Sequence, residues 1–311
     1  MIEVKGLVKR YGNLVALDHF DLNVQKGEIF GLLGPNGSGK TTAINCMLSL
    51  LKYSKGEIRL FGEPMTPSSY ALKKKIGVVM QNVAVFNELT VVENIDYFCG
   101  LYINDKKKRR GLVDEAIEFT GLGEYRKFLP KKLSGGLLRR LNIACGISHK
   151  PELIFLDEPT VAVDPQSRNH ILEGIRQLSR EGATILYTSH YMEEVDQLCT
   201  RIMIMDKGRA VATGTKEELK AMIRSGEKLT AEIFDMPEQI LDKIRNIEGI
   251  YQADYSKTEN RLTALYPADG RHLTAVLDTL RQGNITFGRV TSEPPTLNDV
   301  FLEITGKELK D

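Results

Sequence analysis

No run of about 18 apolar residues occurs in this sequence, so no segment is expected to cross a bilayer as a helix. Met1 leads straight into IEVKGLVKRYGN, which lacks the apolar core of a secretory signal. Cysteines are few: Cys46, Cys99, Cys145 and Cys199 lie far apart and form no CxxC pair. That dispersal argues against a disulfide or zinc framework and fits small buried hydrophobes in a reducing compartment. An excess of charge of one sign is lacking too, since 42 basic residues face 41 acidic ones for a net of +1. The balance gives no global electrostatic case for nucleic acid or for an anionic membrane surface. The expectation is a cytoplasmic protein that reaches a membrane only through a partner.

At 311 residues the chain has room for two domains, or for one large domain with an appendage. The first 30 residues alternate apolar and polar, as in IEVKGLV and FDLNV, the pattern of half-buried antiparallel strands. EIFGLLG then runs apolar into a glycine-rich turn, and KTTAINCMLSLL is predicted to follow as a helix. KGEIRLFGEP and KIGVVMQN read as two more strands, and from Leu89 to about Lys150 the signals turn helical. ELIFLDEP and ATILYTSH are short continuous apolar runs, the form taken by strands covered on both faces of a parallel sheet. RNHILEGIRQLSREG lies between them as a helix. Strand–helix alternation around a helical insertion predicts an α/β nucleotide-binding fold with a helical subdomain at about 89–150.

A second unit is predicted to begin near Ser225, dividing the chain into domains 1–225 and 226–311. KLTAEIF reads as strand, PEQILDKIRNI as helix, and YQADYSKTENRLTALYP as two strands around the turn KTEN. LTAVLDTLRQGN and ITFGRV follow as helix and strand. The order β-α-β-β-α-β is that of a ferredoxin-like α+β unit. TLNDVFLEITGKEL is predicted to add a last helix.

Residues 34 to 41, GPNGSGKT, match G-x-x-x-x-G-K-[ST] between a predicted strand and a predicted helix. Phosphates need convergent N–H donors, and Gly34, Gly37 and Gly39 let the backbone curl around them with Pro35, Asn36 and Ser38. Lys40 can reach the β- and γ-phosphates, and the Thr41 hydroxyl can ligate Mg²⁺; Thr42 belongs to the same candidate set. Asp157 and Glu158 end a buried strand in LIFLDEP. Asp157 suits Mg²⁺, because a hard cation wants oxygen ligands, and Glu158 suits a general base that polarises attacking water. In LSGGLLRR, residues 133 to 140, a serine and two glycines precede a helical pattern that Arg139 and Arg140 interrupt like a polar face. A capped helix and an anion site both fit that local sequence.

Taken together, these residues resemble ATP-binding-cassette (ABC) ATPases over roughly residues 1 to 220. The resemblance implies a P-loop NTPase of ABC type, with a RecA-like parallel sheet core, an antiparallel β subdomain and a helical subdomain. It places Tyr11 against adenine, Gln81 of VVMQN between the γ-phosphate site, its Mg²⁺ and the helical subdomain, and His190 of YTSH against the γ-phosphate. Asp164 of VAVDP matches the aspartate in the loop after the catalytic glutamate. The family works as a head-to-tail dimer, in which Ser134, Gly135 and Gly136 close over ATP held by the phosphate loop of the other chain. The partner is then a second copy or a related cassette. One departure is Leu137, where the family usually has glutamine.

The tail PPTLNDVFLEITGKEL resembles that of bacterial cassettes serving ABC-2-type exporters. This implies an ATPase at the inner face of the cell membrane, driving integral membrane permease subunits. KKKRR at 106 to 110 reads as a solvated face. The rival readings are an ABC-type ATPase acting on DNA or ribosomes and a regulatory ABC subunit. Long coiled-coil heptads and a second tandem cassette, which mark the DNA and ribosome relatives, are both missing, so no nucleic-acid partner is expected.

Overall fold

The computed structural model describes residues 1–223, 226–267 and 271–306. The chain divides into two compact units, Met1–Lys216 and Glu217–Leu309. The division precedes the expected boundary at Ser225, a residue that lies outside the described ones.

The first unit opens with β1 (Ile2–Tyr11) and β2 (Leu14–Val24), paired antiparallel across a two-residue turn at Gly12-Asn13. β3 (Ile29–Leu33) leads into α1 (Lys40–Met47), then come β4 (Lys55–Leu60), β5 (Glu63–Pro64), α2 (Tyr70–Lys73) and β6 (Ile76–Val79). α1 is shorter than the sequence pattern suggests, because the chain turns left-handed at Ser49, φ 54°. Three α-helices form the insertion, α3 (Val91–Gly100), α4 (Lys106–Phe119) and α5 (Gly135–Ile147), with short 3-10 turns at Gly123–Tyr125 and Pro130–Lys132. β7 (Leu153–Asp157), α6 (Pro165–Arg180), β8 (Thr184–Ser189), α7 (Met192–Leu198), β9 (Arg201–Asp206) and β10 (Arg209–Gly214) follow, and α8 (Lys216–Ala221) comes next.

Two sheets result. β2-β1-β4-β5 is antiparallel, whereas β10-β9-β3-β8-β7-β6 is parallel apart from β10. Every residue of β3, β7 and β8 is buried, which accounts for the apolar runs IFGLL, LIFL and ILY within them. One core joins the two sheets around α1, with Leu7, Phe20, Phe30, Ile44, Phe155 and Leu186 among its members. The insertion has a core of its own, built from Val91, Ile95, Ile117, Leu137 and Leu141 among others. A capping box between Thr90 and Glu93 starts α3, and Asp105 caps α4 ahead of the exposed Lys106, Lys107 and Lys108.

The second unit takes in all of α8 but Lys216, then runs β11 (Glu227–Ile233), α9 (Glu238–Arg245), β12 (Gln252–Ser256), β13 (Arg261–Tyr266), α10 (Arg271–Gln282), β14 (Phe287–Glu293) and α11 (Leu297–Thr305). Its sheet, in the order β12-β13-β11-β14, is antiparallel throughout, the ferredoxin-like arrangement. Alternate residues Leu229, Ala231 and Ile233 face a core shared with Ile244, Val276 and Leu280. A capping box between Thr296 and Asp299 starts α11, and the end of the predicted helix, Lys307-Glu308-Leu309, lies outside the described residues. No helix among the described residues is long and apolar enough to cross a membrane. Burial pushes all four thiols up from the ordinary cysteine range, in keeping with their role as small hydrophobes.

His149, just after α5, is buried and stacked on Tyr102 with ring centroids 3.8 Å apart. Its Nε2 donates to the Ile76 carbonyl at 3.1 Å, so Nδ1, which has no partner, carries no proton. Burial pushes its pKa down to about 4. Below about pH 6.5 the unfolded chain binds a proton at this histidine while the folded one does not, so stability falls as pH drops toward 4. The loss attributable to His149 is on the order of 3 kcal/mol. Thermal or denaturant unfolding at pH 6.5 and pH 4.5 should therefore show a smaller loss for His149→Gln than for the parent. Parallel losses in the two proteins would contradict this account.

Candidate nucleotide site

The loop between β3 and α1 is shaped by its glycines. Gly39, the N-cap of α1, is left-handed at φ 107°, and a Cβ there would stand 2.8 Å from the Ala16 carbonyl oxygen. A Cβ at Gly34 would strike the Met205 carbonyl and stand 2.7 Å from Ser38 Oγ. No side chain caps α1, so the N–H groups of its first turn stay available to an anion. Ser38 Oγ is buried with no hydrogen-bond partner, a group that a ligand oxygen would satisfy. Lys40 curls back over the loop, donating to the carbonyls of Gly34 at 2.7 Å and Pro35 at 3.2 Å.

Sheet order brings the remaining groups to this loop. β8 lies between β3 and β7, and β6 borders β7, so their C-terminal ends converge. Asp157, the last residue of β7, is fully buried and accepts from Thr41 Oγ1 at 2.8 Å and from Thr188 Oγ1 at 2.7 Å. An all-oxygen set of this kind suits a hard divalent cation. Glu158 is left-handed at φ 48°, and its N–H donates to Thr188 Oγ1 at 3.0 Å. Its carboxylate lies 3.2 Å from Lys40 Nζ, accepts from Gln81 Nε2 at 3.2 Å and stands 3.4 Å from His190 Nδ1. Lys40, Thr41, Gln81, Asp157, Glu158 and His190 thus meet in one cluster, with Lys40, Asp157 and Glu158 buried, His190 half-buried, and Thr41 and Gln81 at its exposed rim. Gln81 bonds to Glu158 there, not to the Thr41–Asp157 pair with which the sequence reading grouped it.

Tyr11, Ser134, Gly135 and Asp164 form no part of this bonding. Tyr11 is 46% exposed at the end of β1, with Lys9 Nζ 4.6 Å from its ring centre. Ser134 is the N-cap of α5, its Oγ accepting from Leu137 N–H at 3.3 Å, so the capped helix is realised within the single chain. Ser134 and Gly135 remain exposed. Leu137 is buried in the core of the helical insertion, where a glutamine amide would need partners that a leucine does not. Asp164 caps α6 by accepting from Ser167 N–H at 2.9 Å, and that backbone bond, with the Ser167 hydroxyl, holds its carboxyl below the usual range.

Three participants escaped the sequence reading. Thr188 joins Asp157 to the backbone of Glu158. Glu194 is a buried carboxylate on α7, accepting from Thr160 at 2.7 Å, Tyr187 at 2.6 Å and Ser189 at 3.1 Å. Burial, with the Glu194 charge beside it, pushes the Tyr187 hydroxyl well above the usual tyrosine range. Arg139, read as part of a polar face, is instead buried, 4% exposed. The one available signal was position: Thr188 is the threonine of YTSH, Glu194 follows that stretch by four residues, and Arg139 follows LSGG.

The ABC transporter family profile matches residues 17–161. The sequence is also 36% identical, over the whole of both chains, to the linearmycin resistance ATP-binding protein LnrL of Bacillus subtilis. The chain belongs to the ABC transporter family. This ABC ATPase is likewise 36% identical to the daunorubicin/doxorubicin resistance ATP-binding protein DrrA of Streptomyces peucetius, across all of this chain and 94% of that one. Among solved structures, a dimeric ATP-binding cassette in a post-hydrolysis state with ADP and Pi superposes with a TM-score of 0.64. That match has 26% identity and covers 69% of this chain and 98% of the other.

Within the cassette, the two glycines after Ser134 differ sharply. A Cβ at Gly136 would collide with Ser167 Oγ and stand 2.8 Å from Asp164 Oδ2, while the space around Gly135 is nearly open. Gly136→Ala should therefore cost about 1–3 kcal/mol by disturbing the cap of α6. Gly135→Ala should stay within about 0.5 kcal/mol. Denaturant unfolding of the two variants measures the difference, and equal effects would show that Gly136 is not confined as described.

Proposed function

We propose that this chain is the ATP-hydrolysing subunit of a bacterial exporter, acting as a head-to-tail dimer on separate integral membrane subunits. The observation that carries the reading is the Glu158 carboxylate, held between Lys40, Gln81 and His190 at the mouth of a glycine-built anion loop. Two of the relatives above are named as linearmycin and daunorubicin/doxorubicin resistance ATP-binding proteins, which supports the exporter assignment. A dimeric cassette holding ADP and Pi among the structural neighbours supports the nucleotide and the paired state.

In this reading the N–H groups of residues 34–41 and the Ser38 hydroxyl take the phosphate oxygens, and Lys40 turns its ammonium to the β- and γ-phosphates. Thr42 adds its hydroxyl to the same loop, and Tyr11 stacks on adenine. Thr41 and Asp157, joined by Gln81, would hold Mg²⁺, which neutralises charge on the phosphates when bound. Glu158 accepts the proton of the attacking water, and His190 contacts the γ-phosphate. Ser134, Gly135 and Gly136 serve the nucleotide of the facing chain, beside Asp164 of the loop after β7. Phe86 and Tyr97, 42% and 47% exposed with ring centres 4.8 Å apart, lie on the stretch after Gln81 and on α3. They offer an apolar surface to a membrane subunit.

Glu158→Gln should keep ATP binding while slowing turnover about 10²–10⁴-fold. ATP should then hold two chains together, giving the dimer mass in light scattering. Turnover near the parent rate in a folded Glu158→Gln protein would remove Glu158 from the role of base.

A further inference from the structure

Four peptide carbonyls from two separate loops converge on one buried side chain. Arg139 donates through Nε to Pro159 O at 2.8 Å and through Nη1 to Met80 O at 3.1 Å and Gln81 O at 2.6 Å, while Nη2 donates to Glu158 O. Among the described residues no carboxylate forms a direct ion pair with it; the four carbonyl dipoles and the nearby Asp157 and Glu158 charges favour the buried cation. Burial lowers its pKa from the usual arginine range, and a guanidinium still stays charged at neutral pH. Its planar fork suits this task, since it sends N–H groups in several fixed directions, whereas a lysine ammonium is a single point of charge.

The loops it joins carry the two side chains that meet at the reacting position, Gln81 and Glu158. Glu158 is a non-glycine residue in a left-handed conformation, which persists only when its surroundings hold it. Thr188 holds the N–H side of that residue, and Arg139 holds the carbonyl side. Arg139 itself sits on the helix that opens at Ser134, within about one and a half turns of the cap. We propose that Arg139 is a positioning residue, which sets the backbones of Gln81 and Glu158 from α5 and so aims the base. The proposal rests on the assignment of Glu158 as base.

If Arg139 acts through Glu158, its loss must fall on the chemical step and must vanish once Glu158 has lost its function. Arg139→Lys should lower kcat about 10–100-fold, with KM for ATP within about twofold, because residues 34–41 are untouched. In the Glu158→Gln background, Arg139→Lys should add less than about twofold to the residual single-turnover rate. Circular dichroism and the Tm of each variant establish that it is folded. If Arg139→Lys does not fold, Arg139→Gln enters the same cycle with the same expectations. Unchanged kcat in a folded variant, or a raised KM at constant kcat, would overturn the proposal. So would losses that multiply in the double variant, the mark of a general structural role. Parent-like turnover of Glu158→Gln alone refutes the base assignment itself, and with it the proposal. That result is read from the single variant and is distinct from the other outcomes.

Discussion

The interaction on which the rest depends is the buried pair between Lys40 and Glu158. The two charged groups are 3.2 Å apart, and their side chains are only 4% and 5% exposed. Removing one partner of such a pair leaves an uncompensated buried charge, typically at a cost of about 3–5 kcal/mol. The pair fastens the loop after β3 to the end of β7, across the intervening β8. Thr41 and Asp157 make a second fastening beside it, and Thr188 of β8 closes the gap from the middle strand. Gln81 arrives from beyond β6 and His190 from the end of β8, so four adjacent parallel strands supply the whole cluster.

Much of this was legible in the sequence, for physical reasons. Strands covered on both faces must be largely apolar, and β3, β7 and β8 are until the polar residues at the C-terminal ends of β7 and β8; a glycine-built loop after one and paired acids at the end of another mark where chemistry collects. The second unit showed its alternation and its KTEN turn, and the strand order found there is the one its element order implied. Arg139 was not legible. Helical periodicity identifies a face without saying what covers it, and the face bearing Arg139 is covered by two loops distant in sequence. Glu194 was hidden in the same way, because Glu193-Glu194 looks like a solvated pair until Thr160, Tyr187 and Ser189 are seen to converge on the second carboxylate. The left-handed turn at Ser49 ended α1 before its apolar pattern did.

The segment LSGG realises one of the two readings that its sequence allows, the capped helix, and leaves room for the other. Ser134 caps its own helix, Gly136 is packed against the start of α6, and Leu137 fills the core of the insertion. These contacts use the local structure fully, yet they leave Ser134 and Gly135 exposed and outside the Lys40–Glu158 cluster of the same chain. An exposed helix start with free N–H groups is suited to an anion delivered from outside. In the head-to-tail dimer proposed above, that anion would be the nucleotide of the partner.

Mixing two defective chains tests this central claim most directly. Lys40→Ala removes the cation of the phosphate loop, and Ser134→Arg places a bulky cation at the start of α5, so each homodimer has two damaged sites. If the signature acts on the partner's nucleotide, a mixed dimer has one site with both defects and one with neither. Mixed dimers isolated by orthogonal tags should then hydrolyse ATP at about half the rate of parent dimers if the two sites act independently. Purified mixed dimers that hydrolyse no more ATP than either variant alone would contradict the account, and would leave Ser134 as a helix cap.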